Sequence, residues 1–267
     1  MTELHYYMIN PTGNITALVD TQVSPAYRPF AALRIMEKEP LCEQVGFIGT
    51  DADGTPFLEM AGGEFCGNAS MSVAALYCLR KGLAQGEKHN IFLRVSGAPE
   101  RVAVSVLANG DGSYSCGVEM PRPERIGSVT LTAEERHMEL PAVFFPGITH
   151  IISENVLTKD EAERYVRKWC AELGSDGLGI MLFDSCRQVL SPLVYVPAAD
   201  TLFWESSCAS GTSAVGAFIA SKTGQNADIV LSEPGGCLRV AACENGQILL
   251  YGSAVICSEE NIVLDIG

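Results

Sequence analysis

The chain has 267 residues, of which 47% are apolar, and a chain of this size can bury one large core or two moderate ones. Asp and Glu outnumber Lys and Arg by 32 to 18, so the formal net charge at pH 7 is -14. A negative surface repels the phosphates of nucleic acids and of anionic membranes, and no basic run offsets it. We therefore expect neither a nucleic-acid partner nor a membrane partner.

The N-terminal residues show neither the basic segment nor the apolar segment of a secretion signal. No stretch approaches the roughly 18 uninterrupted apolar residues of a membrane-spanning helix. These two features predict a cytoplasmic protein.

The sequence has 10 cysteines, but none form the CxxC pairs typical of zinc and redox sites, so we expect free thiols and no bound metal.

Short runs rich in β-branched residues alternate with turn-forming pairs such as Asp53-Gly54, Asn109-Gly110 and Asn245-Gly246, a pattern typical of strands joined by hairpins. The predicted strands are 15–19, 43–48, 91–95, 102–107, 113–120, 190–196, 229–231, 238–242 and 247–251. Apolar residues at helical spacing predict four helices, at 29–37, 69–81, 158–173 and 213–222.

Two segments of the chain share one pattern, in which a cysteine is followed by three small or polar residues and then by an Ala/Val-rich helix. One segment starts at Cys66 and the other at Cys208. Matching turn motifs precede them, at 11–16 and 146–150, and follow them, at 96–97 and 234–236. This repeat predicts two similar α/β domains, 1–122 and 123–257, with the active site in the cleft between them and a C-terminal strand, 258–267, that can pack on the first domain.

A cysteine just ahead of a helix lies near main-chain N–H groups that no helical carbonyl accepts and near the positive end of the helix dipole. Both features lower the pKa of the thiol and favour the thiolate. The same N–H groups can hold a substrate carboxylate, and here they belong to Gly67, Asn68, Ala209 and Ser210. One thiolate could then remove the Cα proton of an amino acid while the other thiol protonates the opposite face, which is a two-base racemisation.

Other interpretations of the same residues stay open. A single cysteine in an apolar protein is usually a packing residue, and only the pair at equivalent repeat positions favours catalysis. A protein that binds an amino acid without converting it would keep the same loops. A pyridoxal-phosphate racemase needs a Schiff-base lysine, and none of the six lysines lies in a glycine-rich or apolar setting.

The motif Glu64-Phe65-Cys66-Gly67-Asn68, together with Cys208-Ala209-Ser210-Gly211-Thr212, resembles the diaminopimelate epimerase and proline racemase class of cofactor-independent enzymes. Further motifs at 10–14, 42–48, 181–184, 204–208 and 234–236 resemble the histidine racemases of metallophore biosynthesis of the staphylopine type. The resemblance implies two pseudo-symmetric domains, each a curved, mostly antiparallel sheet around a central helix. It also implies catalysis by Cys66 and Cys208 with neither pyridoxal phosphate nor metal.

The resemblance also implies roles for three polar side chains. The Asn14 amide would contact the substrate carboxylate, while Glu43 and Glu205 would receive the ammonium group and a basic side chain. Ser206 stands where diaminopimelate epimerases have the arginine that grips the distal carboxylate of their substrate. This departure favours histidine as the substrate. Diaminopimelate epimerase and the proline or hydroxyproline racemases remain the alternative activities.

Three further expectations concern the assembly, the phenazine-type activity and His150. A homodimer is the commonest oligomer of soluble enzymes and is expected here. A phenazine-type isomerase lacks the paired cysteines, so their presence argues against that activity. His150 lies beside a β-type run, and we expect it to pack or to hydrogen-bond near the site rather than to act as an acid or base.

Overall fold

The structure is a computed structural model that describes residues 1–134 and 136–266. The strands are β1 Thr2–Asn10, β2 Thr16–Val19, β3 Gln44–Thr50, β4 Pro56–Met60, β5 Lys88–Val95, β6 Val102–Ala108, β7 Ser113–Met120, β8 Arg125–Ala133, β9 Arg136–Phe145, β10 Ile148–Glu154, β11 Leu178–Asp184, β12 Val189–Val196, β13 Thr201–Trp204, β14 Ala227–Glu233, β15 Gly236–Ala242 and β16 Ile248–Leu264. The α-helices are α1 Arg28–Lys38, α2 Gly67–Lys81, α3 Lys159–Leu173 and α4 Ala209–Thr223.

The chain folds into two compact units. Unit 1 comprises residues 1–119 together with the C-terminal segment from Tyr251, and unit 2 is Met120–Leu250. Gly267, with which the predicted C-terminal strand ends, lies outside the described residues. The remainder of that strand is part of β16, which pairs antiparallel with β1 in the register Thr2 to Leu264.

In unit 1, strands β1 to β7 follow one another in the sheet, and β16 lies between β7 and β1. Most neighbouring strands are antiparallel, but β2 runs parallel to β3 and β4 runs parallel to β5. A helix makes each parallel connection, as a parallel pair requires: α1 joins β2 to β3, and α2 joins β4 to β5. Helix α2 packs on β2 to β6 and is therefore the central helix of this unit.

Unit 2 repeats this order of elements. Its sheet runs β8-β9-β10-β11-β12-β14-β15, with β13 paired to β12. The parallel pairs are β10 with β11, joined by α3, and β12 with β14, joined through α4. Helix α4 packs on β8, β9, β10, β11, β14 and β15 and is the central helix of this unit.

The sequences of the two central helices explain their positions. Eleven residues of α2 and nine of α4 are buried, and most of these are Gly, Ala, Ser or Val. A helix that is apolar or small on all sides is stable only when protein surrounds it. Helices α1 and α3 bury one face each. Ile35 of α1 packs with strand residues of unit 1, and Trp169 of α3 packs with strand residues of unit 2.

The predicted mixed α/β fold with repeated elements is confirmed, and so are the four helices. Three helices begin earlier than expected, α1 by one residue, α2 by two and α4 by four. In α2 and α4 the small residues after the cysteine already belong to the helix. Seven strands were not predicted: β1, β4, β8, β9, β10, β11 and β13. In the part of the chain that the structure describes, we find no helix with the length and apolar character needed to cross a membrane.

Candidate active site

Cys66 is the N-cap residue of α2 in unit 1. Its backbone is extended, and its sulfur accepts the main-chain N–H of Ala69 at 3.3 Å. The hydroxyl of Ser70 donates to the carbonyl of Cys66 at 2.8 Å, which fixes the main chain of the cap. The sulfur is therefore held at the positive end of a helix, where a thiolate is stabilised.

A chain of polar side chains leads away from the Cys66 sulfur. The thiol lies 2.7 Å from Gln44 Oε1, and the Gln44 amide donates to Asn14 Oδ1. Asn14 is fully buried, and its Nδ2 donates to Glu43 Oε2 at 2.6 Å. The structure thus places three predicted site residues, Cys66, Asn14 and Glu43, in one hydrogen-bonded chain.

The parallel pairing of β2 and β3 creates this chain. Thr16 pairs with Gln44, and the Glu43 main-chain N–H donates to the carbonyl of Ile15 at 2.8 Å. Asn14 and Glu43 therefore lie side by side at the start of the two strands. Gln44, the link to the sulfur, was not selected from the sequence. The motif 42–48 contained it, but only Glu43 in that motif was given a role.

Gly67 and Asn68 are the first two residues of α2. Their main-chain N–H groups belong to the turn whose donors have no acceptor within the helix. Asn68 is buried, and its carbonyl accepts the hydroxyl of Ser72 at 3.1 Å. The predicted carboxylate-binding segment of unit 1 is thus the first turn of α2, directly beside Cys66.

Cys208 is the N-cap residue of α4 in unit 2 and is only 4% exposed. Its sulfur accepts the main-chain N–H of Gly211 at 3.3 Å. Ala209 and Ser210, the other predicted binding residues, begin α4. The local geometry of the cysteine and the helix start is therefore the same as at Cys66.

The expected low pKa of Cys208 is wrong. Burial raises the pKa of its thiol well above the ordinary value, and the negative charges of Glu205 and Glu233 raise it further. Glu205 also accepts a hydrogen bond from the thiol. Desolvation and two carboxylates outweigh the helix dipole here, so in this structure Cys208 is a protonated thiol.

His150 of β10 is fully buried and approaches the same sulfur through Ser210. Its Nε2 lies 2.9 Å from Ser210 Oγ, and Ser210 Oγ lies 3.6 Å from Cys208 Sγ. Burial lowers the pKa of His150 to about 3, so the imidazole is neutral at physiological pH. His150 thus hydrogen-bonds beside the site, as expected, and holds Ser210 in place.

Glu233 is a site residue that the sequence analysis missed. It ends β14, is 6% exposed, and accepts the main-chain N–H of Cys208 at 2.7 Å and the Thr212 hydroxyl at 2.5 Å. Burial raises the pKa of its carboxyl to about 7, against the opposing effect of these two donors. A lone glutamate before Pro-Gly-Gly usually lies on the surface, so no sequence signal marked it.

The two sites share what proton transfer needs. Each offers a thiol at a helix N-terminus, with carboxylate or amide groups in hydrogen-bond contact with it, and either thiol can gain or lose a proton. All 10 cysteines are free. Among the described residues, no cluster of His, Cys, Asp and Glu side chains is arranged to hold a metal ion.

Comparison with known proteins gives concordant results. The model of the family described as "Histidine racemase CntK N-terminal domain" matches residues 3–257. A histidine racemase of Fusobacterium nucleatum subsp. nucleatum is 33% identical over 269 residues, which cover 98% of this chain and 97% of that protein. A histidine racemase of Staphylococcus aureus is 30% identical over 249 residues, which cover 90% of this chain and 88% of that protein.

Solved structures with low sequence identity share the fold. A predicted epimerase from Pseudomonas aeruginosa superposes with a TM-score of 0.72 at 13% identity, covering 98% of this chain and all of that one. A hydroxyproline epimerase from Agrobacterium vitis, solved with bound trans-4-hydroxy-L-proline, gives a TM-score of 0.68 at 10% identity, covering 99% of this chain and 93% of that one. Since the family model spans nearly the whole chain and both curated relatives are at least 30% identical over most of it, the chain belongs to the histidine racemase family of amino-acid isomerases.

Proposed function

We propose that this protein interconverts L- and D-histidine, with Cys66 and Cys208 as the two acid–base groups. The observation that supports this proposal best is the repeated N-cap geometry. In both units a cysteine sulfur accepts an N–H of the first turn of a central helix, at 3.3 Å. A two-base racemase needs two thiols that can each hold or release a proton. The repeated geometry supplies two such thiols.

In the proposed reaction, one cysteine is a thiolate and the other a thiol. The thiolate takes the Cα proton, and the electron pair of the broken C–H bond moves into the substrate carboxylate. The thiol then gives its proton to the opposite face of Cα, and the electron pair returns to form the new C–H bond. No atom is gained or lost, and the enzyme ends with the proton on the other sulfur.

The negative charge that develops on the substrate carboxylate needs hydrogen-bond donors. We propose that the N–H groups of Gly67 and Asn68, at the start of α2, and of Ala209 and Ser210, at the start of α4, supply them. Helix N-termini favour anions for this reason. The buried Asn14 amide, two hydrogen bonds from the Cys66 sulfur, is proposed to orient the same carboxylate.

We propose that Glu43 and Glu205 select histidine by pairing with its ammonium and imidazole groups. Glu43 is tied to Asn14 by a hydrogen bond of 2.6 Å, and Glu205 accepts a hydrogen bond from the Cys208 thiol. Both carboxylates therefore lie beside a proposed catalytic or carboxylate-binding group. A proline-type substrate, with one ring amine, would offer no second cationic group to the second carboxylate.

The test is incubation of reduced enzyme in D2O, without added cofactor, with L-histidine, meso-diaminopimelate or L-proline. Cα deuterium and the chirality of the product are measured together. We expect deuterium uptake and racemisation with histidine, and loss of racemisation in Cys66→Ala and Cys208→Ala. The matched control is Cys186→Ala, because Cys186 is an exposed free thiol of unit 2. Deuterium uptake into diaminopimelate alone would contradict the proposal. Uptake into none of the three amino acids would contradict it as well.

Four further parts of the proposal concern the assembly, the location, the domains and the metabolic context of the enzyme. We propose a homodimer in the cytoplasm, with residues 1–122 and 123–257 as the two repeated domains. We also propose that its D-histidine is consumed by metallophore synthesis, as in the family that the sequence resembles. Light scattering on purified protein tests the dimer, and a monomeric mass at micromolar concentration would refute it.

A further inference from the structure

Glu233 occupies an unusual position for an acidic side chain. It is the last residue of β14, nearly all of its surface is covered, and both carboxylate oxygens are engaged. Oε2 accepts the main-chain N–H of Cys208, and Oε1 accepts the hydroxyl of Thr212. Both donors belong to the N-terminal turn of α4, so the carboxylate holds that turn from the side of the sheet.

The equivalent place in unit 1 is apolar. Strand β5, which corresponds to β14 in the order of elements, ends at Val95, a buried residue. Ser70, four residues after Cys66 as Thr212 is after Cys208, donates instead to the carbonyl of Cys66. The two cysteine caps thus have the same local geometry, and the Glu233 carboxylate supports the one at Cys208.

We propose that Glu233 is a positioning residue for Cys208: it fixes the cap of α4 through two hydrogen bonds, and its ionised form disfavours the thiolate, so that Cys208 serves as the proton-donating thiol. This inference rests on the proposed role of Cys208 in proton transfer. It gives Cys208 the role of proton donor in the free enzyme.

Three titratable groups of unit 2 face Cys208 from the elements packed around it. They are Glu233 from β14, Glu205 from the loop before α4 and, through Ser210, His150 from β10. The neutral imidazole adds no charge. Glu205 touches the thiol itself, so Glu233 is the carboxylate that can be changed without removing a group proposed to contact substrate.

The first experiment measures the Cys208 thiol without using activity. Purified protein is alkylated with iodoacetamide across a pH series, and the rate at the Cys208 peptide is followed by mass spectrometry. Glu233→Gln keeps the size and one of the two acceptor oxygens but removes the charge, so the midpoint for Cys208 should fall by about one pH unit or more. Glu233→Asp, which keeps the charge, should stay near wild type. Glu244→Gln, which removes an exposed charge of unit 2, is the matched control and should not shift the midpoint.

The second experiment compares the pH profile of kcat/KM for racemisation of histidine in wild type and Glu233→Gln. For the enantiomer that Cys208 protonates, the basic limb, where Cys208 loses the proton that it must donate, should move to lower pH by the same amount as the alkylation midpoint. If both profiles are unchanged while the thermal midpoint falls, Glu233 has a structural role only and the inference is wrong. If wild type racemises no amino acid, the proposed function fails instead, and the alkylation result still decides whether Glu233 controls the thiol.

Discussion

Gly97 is the residue whose substitution tests most sharply how the fold supports Cys66. It lies in the turn after β5, with φ of +72° in the left-handed region. A Cβ added there would lie 2.3 Å from the main-chain nitrogen of Phe65 and 2.7 Å from the carbonyl carbon of Glu64. These are backbone atoms of the segment that leads into Cys66, so no side chain can turn away to relieve the contact.

Gly54 offers a matched control for Gly97→Ala. Its φ is +84°, in the turn between β3 and β4, and an added Cβ would meet no atom within 4 Å. Gly54→Ala therefore measures the cost of the left-handed conformation alone, about 1–2 kcal/mol. Gly97→Ala adds the backbone overlap, which costs about 1–3 kcal/mol more by analogy with overpacked cores.

Chemical unfolding of both variants gives the two free energies, and steady-state racemisation of histidine gives the activities. We expect Gly97→Ala to be the less stable variant and to lose roughly tenfold to 100-fold in kcat, since displacement of a catalytic group by about 1 Å has effects of this order. Gly54→Ala should keep nearly full activity. Equal stability and equal activity of the two variants would refute the conclusion that Gly97 permits the backbone to pass beside Cys66.

Three other predictions follow from single contacts. Asn14→Ala should lower the free energy of unfolding by about 1–3 kcal/mol, because the buried Asn14 bonds both Glu43 and Gln44; a change below about 0.5 kcal/mol in urea unfolding would contradict this. Thr158→Ala, which removes the capping box of α3, should cost about 1 kcal/mol in the same assay, and an unchanged midpoint would show that the box is dispensable. Burial lowers the pKa of His150 from 6.5 to about 3. The contribution of the neutral imidazole to the free energy of unfolding is therefore complete above pH 6.5 and is lost as the pH falls toward 3. The free energy of unfolding of wild type should therefore fall by about 2 kcal/mol more than that of His150→Gln between pH 6.5 and about pH 5. If the two free energies change in parallel with pH, the lowered pKa of His150 is refuted.

The central helices and their cysteine caps could be predicted because their signal is local. Each cysteine and the small residues after it are contiguous, and the repeat of the pattern at Cys208 reinforced it. Pairs of turn residues also located hairpins, although in the turn after β6 the positive φ belongs to Gly112 and not to Gly110. Such local patterns can be predicted because they depend on the backbone conformations that each residue type favours.

The strands β8 and β9 show why other elements were missed. Arg125 and Arg136 begin these two strands, and Glu139 interrupts the apolar residues of β9. The strands are stabilised by pairing with each other and by the core beneath. Strand preference depends on such context more than helix preference does. In the site, the contact between His150 and Ser210 joins residues 60 positions apart, and no pattern within either segment indicates the other.

Glu233 illustrates the same limit in chemical terms. Its role depends on the N–H of Cys208 and the hydroxyl of Thr212, which only the pairing of β14 with the unit 2 sheet brings close. The sign of the Cys208 pKa shift was predicted wrongly for this reason. The helix dipole could be inferred from the sequence, whereas the burial and the two carboxylates that outweigh it required the fold.

The measurement that tests the two-cysteine account most directly is Cα proton exchange in Cys66→Ser and Cys208→Ser, each with L-histidine and D-histidine in D2O. In each variant only one thiol remains to remove a proton, so the account predicts that each variant exchanges one enantiomer much faster than the other and that the preferred enantiomer is opposite in the two variants. Equal exchange of both enantiomers, or the same preference in both variants, would contradict it.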